Sequence, residues 1–155
     1  MKYQIEHYPG SSVVGFHKVG PWELTVQEGF EQLAAWVKRQ DIHSGQWMAI
    51  YYDDPQVIPP EKLRCDTVIT VARSFQLPEP DSGVIKTTVA AGEYAVARAR
   101  VDDENFAKPW MQFFASLQDE QTWQPTGKPC FEHYLNEGSE CGVWEFDMYV
   151  PVERQ

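Results

Sequence analysis

The feature that most constrains this chain is that its pattern of periodicities runs twice. Residues Tyr3 to Tyr8 and Val13 to Val19 read as strands around the turn signal Pro9-Gly10-Ser11-Ser12. A helical spacing follows at Val26, Phe30, Leu33 and Val37, opened by Gly20-Pro21 and ended by Gln40 to Gly45. Two further strands are expected at Trp47 to Tyr52 and at the β-branched run Cys65 to Val71. The order then repeats. Val84 to Val89 and Tyr94 to Val101 flank Ala91-Gly92-Glu93. Phe106, Trp110, Phe113, Phe114 and Leu117 form an aromatic helical stripe with Asp102 and Asp103 as candidate N-caps. Pro129 to Leu135 and Val143 to Val150 close the set. Gly10 and Gly92 lie 82 positions apart (92 − 10), as do Val14 and Val96, and Tyr52 and Tyr134; Phe30 and Phe114 match once a short gap is allowed. Such recurrence predicts an internal duplication with halves of about 1–74 and 83–155, joined through Ser74 to Gly83.

The expected fold class is therefore α+β: a duplicated β-β-α-β-β-type module, an antiparallel sheet with two helices on one side, and a central groove at the pseudo-twofold axis. The whole of 1–155 is expected to be one domain. Seams between helices are common ligand sites, so that groove is where binding is expected.

Charge and composition exclude several function classes. There are 13 Lys and Arg against 23 Asp and Glu, a formal net charge of −10. Phosphate backbones and anionic membranes are recognised by basic residues, so direct nucleic-acid or membrane binding is not expected. Basic protein patches and cationic small molecules fit this charge. Cys65, Cys130 and Cys141 form no C-x-x-C pair and suit reduced thiols in the cytoplasm. No signal peptide and no membrane span is expected.

No nucleophile elbow, P-loop, zinc-protease or dinucleotide motif is present. His7, His17, His43 and His133 are scattered, so neither a metal nor another cofactor is expected. Glu132 is the carboxylate of most interest. It interrupts the apolar segment Pro129 to Leu135, and strand alternation places it on one face with Cys130 and Tyr134. On the groove side it would need a hydrogen-bond partner, a cation or a raised pKa. Tyr51, Tyr94, Trp110 and Phe114 come from elements expected to converge near the duplication axis. Rings around a carboxylate make a receptor for a lipophilic cation. Asp66, between Cys65 and Thr67, reads as a structural salt bridge or turn cap.

Several segments carry a resemblance. Gly15 to Glu23 (GFHKVGPWE), Gly29 to Val37 (GFEQLAAWV), Tyr51 to Pro55 (YYDDP) and Glu61 to Val71 (EKLRCDTVITV) resemble the enterobacterial DNA gyrase inhibitors of the SbmC type. So do Gly92 to Val101 (GEYAVARARV), Phe106 to Phe114 (FAKPWMQFF), Lys128 to Asn136 (KPCFEHYLN) and Met148 to Val152 (MYVPV). The resemblance implies the GyrI-like small-molecule-binding superfamily, which includes effector-binding domains of transcription activators and some hydrolases. It implies a non-enzymatic partner of DNA gyrase that lowers supercoiling and protects against gyrase-targeting toxins. It also implies that Glu132 occupies the place of an acidic residue facing an aromatic pocket. No helix-turn-helix precedes the duplicated region, so a transcription-factor role is not expected. Two alternatives follow: a sequestering module for lipophilic or cationic compounds, or a hydrolase of reactive electrophiles with Glu132 as general base and Tyr51 or Tyr94 orienting the substrate.

Overall fold

The computed structural model describes residues 1–78 and 83–155; of the expected linker, 79–82 with Pro80 lie outside them. The elements are β1 (Gln4–Tyr8), β2 (Ser11–Val19), α1 (Trp22–Arg39), β3 (Trp47–Tyr51), β4 (Arg64–Val71), β5 (Ile85–Val89), β6 (Gly92–Val101), α2 (Ala107–Gln118), β7 (Trp123–Pro125), β8 (Cys130–Tyr134) and β9 (Trp144–Arg154). A short 3-10 turn spans Pro60–Lys62. The strands and both helices match the expected order, and the fold is α+β with antiparallel pairing. The three-residue β7 was not anticipated.

Two compact units result: a continuous one, Pro9–Ala91, and a split one, Met1–Tyr8 with Gly92–Gln155. The pairing corrects the expected hairpins. β1 pairs with β6, with Tyr8 opposite Gly92, and β2 pairs with β5, with Ser11 opposite Val89. Each chain-order half has thus given up its first strand. The turn residues Gly10 and Gly92 mark crossings of the chain, not hairpin tips.

In the continuous unit the strand order is β3-β4-β2-β5, with α1 on one face. The buried side of α1 is Thr25, Gly29, Leu33, Trp36 and Val37, so the stripe is rotated from the expected one and Val26 and Phe30 are only half-buried. Gly29 explains the rotation. A Cβ there would lie 2.4 Å from Thr67 Oγ1, so only glycine lets the helix backbone come this close to β4. At Gly15 on β2 an added Cβ would lie 1.9 Å from the Thr67 carbonyl oxygen.

In the split unit the order is β1-β6-β9-β8, with β7 on the C-terminal part of β9. Here α2 buries Phe113 and Leu117 against Ala95, Ala97, Ala99, Phe146, Met148 and Val150. Alternation in β9 puts Phe146, Met148 and Val150 on that face, as its sequence predicts. The expected caps Asp102 and Asp103 do not cap α2. Asn105 Oδ1 instead accepts from the Lys108 amide at 3.2 Å, while Asp103 accepts from the Asn105 amide. Glu104, at φ 62°, turns the chain between them. Pro109 sits in the first turn, where its missing N–H costs nothing.

Candidate functional site

Glu132 is 1 % exposed and lies mid-strand in β8, opposite Met148 of β9. A carboxylate so placed must find donors. Trp110 Nε1 donates to Oε2 at 2.7 Å and the Tyr134 hydroxyl donates to Oε1 at 2.7 Å. An indole N–H can only donate, and each oxygen of Glu132 accepts one of these bonds, which offsets part of the cost of burying the group.

Rings surround these donors. Trp110 stacks on Phe114 with centroids 6.0 Å apart and an interplanar angle of 27°. Tyr134 packs against Trp144 and Phe146 at 5.7 and 5.5 Å. The α-helical spacing of Trp110 and Phe114, four residues apart, puts both on one side of α2. Phe114 remains partly exposed, as does Met111 beside it. The result is a buried carboxyl group that accepts from Trp110 and Tyr134 inside an aromatic shell. Such a group can bind a cation. It can also accept a proton, but Cys130 beside it offers no thiolate, because burial pushes its thiol up to about 12.

Four of the expected site residues belong to the split unit, and three of them are gathered there. Glu132, Trp110 and Phe114 come together. Tyr94 does not: Ala95 and Ala97 face α2, so alternation in β6 turns Tyr94 to the other face of the sheet. It packs there with Tyr8, Phe131 and Tyr149 at 5.7, 5.4 and 5.9 Å, and burial pushes its phenol up to about 12. Tyr51 belongs to the continuous unit and packs edge-on to Trp22 at 4.7 Å.

A second buried carboxylate sits in the continuous unit. Asp66, 2 % exposed, is the direct cross-strand partner of His17. Its Oδ1 lies 2.6 Å from His17 Nδ1, and its Oδ2 accepts from the Tyr52 hydroxyl. Of the two expected readings of Asp66, salt bridge or turn cap, its pairing with His17 fits the first. The pairing of β2 with β4 creates it, and no local signal around Asp66 names His17. Nearby, Asp53 holds Arg64 through bonds of 2.8 to 3.3 Å, and that guanidinium keeps the Asp53 carboxyl below its usual range. Among the described residues no cluster of His, Cys, Asp and Glu is arranged to hold a metal ion.

The profile of the GyrI-like small molecule binding domain matches residues 1–153. The chain belongs to the GyrI-like family. Within that family it is 53 % identical to the DNA gyrase inhibitor of Salmonella typhimurium (strain LT2), over all of both chains. Solved structures share the GyrI-like fold at low identity. SAV2435 bound to tetraphenylphosphonium superposes with a TM-score of 0.62 at 13 % identity, over 99 % of this chain and 94 % of that one. A hydrolase from Listeria innocua superposes with a TM-score of 0.66 at 12 % identity, over 98 % and 92 %. No helix among the described residues is long and apolar enough to cross a membrane.

Proposed function

We propose that this protein binds DNA gyrase, lowers its supercoiling activity and so protects the cell against toxins that act on gyrase. The observation that carries this reading is the full-length likeness, at 53 % identity, to a relative named for gyrase inhibition. An acidic chain of net charge −10 is suited to a protein partner with basic DNA-binding surfaces. The reading implies a cytoplasmic protein that acts by binding rather than by turnover. The test is a supercoiling assay with purified gyrase, the wild type and Glu132→Gln. Both proteins are expected to inhibit. Inhibition by the wild type alone would tie the Glu132 site to gyrase contact, and inhibition by neither would overturn the reading.

A second reading concerns the Glu132 site, which we infer to be a receptor for lipophilic cations. The supporting observation is a buried carboxylate, both of whose oxygens accept from neutral donors within an aromatic shell. The structural relative carrying tetraphenylphosphonium adds a precedent for the ligand class on this fold. Because Glu132 is buried, a cation can reach it only if a covering ring moves, so binding should change the environment of Trp110. Titration with tetraphenylphosphonium is expected to alter tryptophan fluorescence. Glu132→Gln, which keeps the shape and removes the charge, is expected to weaken binding by about 10-fold or more, the equivalent of 1.4 kcal/mol. Equal affinity in that variant would remove Glu132 from the role.

A further inference from the structure

Among the described residues three histidines pair with carboxylates, and the pairs are not equivalent. His7 meets Glu93 at 2.9 Å, with side chains 66 % and 42 % exposed. His43 meets Asp41 at 2.6 Å, with both more than 80 % exposed. His17 meets Asp66 at 2.6 Å, but here the imidazole is 42 % exposed and the carboxylate only 3 %. Water competes freely for the first two pairs. The third is fixed from beneath.

The bonding around Asp66 sets the state of the ring. Burial, and then the bond to Asp66, drive the Tyr52 phenol well above its ordinary value. Tyr52 therefore keeps its proton and donates it to Oδ2. The other oxygen accepts, so His17 Nδ1 carries hydrogen and the neutral ring has its lone pair on Nε2. With Nδ1 turned toward the buried acid, Nε2 lies beyond that bond in a side chain that is 42 % exposed. A base oriented by a third group in this way is the arrangement that proton-transfer catalysis requires. Around it stand Tyr52 and Asp53 from the chain just beyond β3, and Arg64 and Asp66 from β4. Arg64 lies over the Tyr52 ring at 5.8 Å and is held there by Asp53.

We propose that His17 is a general base, positioned by Asp66, for the hydrolysis of small activated esters at the surface of the continuous unit. In the first step Nε2 takes a proton from water as the water oxygen bonds to the acyl carbon. The carbonyl π pair moves onto its oxygen, where the Arg64 guanidinium is the neighbouring positive charge. In the second step the carbonyl re-forms, the bond to the leaving oxygen breaks, and the imidazolium returns its proton to that oxygen. Ester and water become acid and alcohol, with no oxidant, metal or cofactor consumed.

The experiment follows release of 4-nitrophenolate from 4-nitrophenyl acetate by the whole protein, beside an equal concentration of free imidazole. A positioned base accelerates such a step by roughly 10²–10⁴-fold. The wild type is expected to exceed imidazole by at least about 10-fold, and His17→Gln to fall to the imidazole level. His43→Gln removes an exposed histidine paired outside any buried acid, and should leave the rate unchanged. The pH profile should rise with one midpoint, coincident with the titration of the His17 ring followed by NMR in the wild type. Asp66→Asn should lower kcat above the midpoint while KM for the ester holds, a split that a merely structural role would not give. A wild-type rate no greater than imidazole, an unaltered rate in His17→Gln, or a kinetic midpoint that differs from the His17 titration would each overturn the proposal. The last of these needs no variant to fold.

Discussion

Thr67 shows how closely single residues are fitted. It is fully buried, and among the described residues its hydroxyl has no hydrogen-bond partner. It also lies under Gly29, where an added Cβ would sit 2.4 Å from Oγ1 and 2.7 Å from Cγ2. Overpacking of this kind costs about 1–3 kcal/mol, so Gly29→Ala should destabilise by that amount in urea unfolding. Thr67→Ala should relieve most of the cost, because it removes both clashing atoms, and a double-mutant cycle measures this directly. Thr67→Val keeps the volume and deletes the unpaired hydroxyl. It should be neutral or stabilising by on the order of 1 kcal/mol. Additive effects of Gly29→Ala and Thr67→Ala would show that the helix backs away from β4 instead. At this scale the sequence was partly legible. Glu132 stood out because a charge inside an apolar strand must be accounted for. Trp110 followed from helical spacing. Tyr94 was misplaced because alternation gives two faces but does not say which one a helix will cover. Asp66 was legible as a salt-bridge former, but its partners were not, because His17 comes from another strand and Tyr52 from the chain just beyond β3.

Elements bring together groups that lie far apart in sequence, and the row across β6, β9 and β8 gives a pH test. Arg98 and His133 both stand opposite Asp147, and Arg98 bonds to it at 2.5 Å. Burial lowers the pKa of His133, Arg98 lowers it further, and Asp147 opposes them less effectively. In the unfolded chain the ring titrates near about 6.5. Above that pH both states are neutral and the group is without effect on stability. As pH falls below it, the unfolded chain takes up a proton that the folded chain does not, so stability declines toward the depressed folded value. Thermal melts at decreasing pH should therefore show a loss beginning near pH 6.5 that is absent in His133→Gln. Carboxylates held low by partners, such as Asp53, act only below about pH 4 and leave this window clear. An unchanged slope in the variant would mean that His133 is not the responsible group. Element order and type were read well from the sequence, because long periodic runs leave little choice between helix and strand. Pairing was not. The signals at Pro9 to Ser12 and Ala91 to Glu93 look like hairpin turns, yet β1 pairs with β6 and β2 with β5. A turn motif specifies a local change of direction, and the choice of partner strand is made by tertiary packing.

At the scale of the whole molecule the net charge of −10 is the property most open to measurement. A charge of that size acts at a distance in dilute salt and is screened over about 10 Å at 0.1 M. If it guides the protein to basic surfaces of gyrase, association should slow and weaken as salt rises, while dissociation changes less. Gyrase binding to DNA is itself sensitive to salt, so the supercoiling assay alone confounds two effects. Direct binding of the protein to DNA-free gyrase isolates the relevant one. Its affinity should fall several-fold between about 50 and 200 mM salt, mainly through the association rate. Glu132→Gln should show the same salt slope as the wild type, because a charge that is 1 % exposed contributes little to the field outside. Changing exposed Glu23 and Glu31 of α1 to lysine should flatten the slope, since it reduces the net charge to −6. Binding that ignores both salt and this charge reversal would mean that shape and apolar contact govern recognition. The acidic surface would then serve solubility, and the search for the contact would turn to exposed apolar side chains such as Met111 and Phe114 on α2.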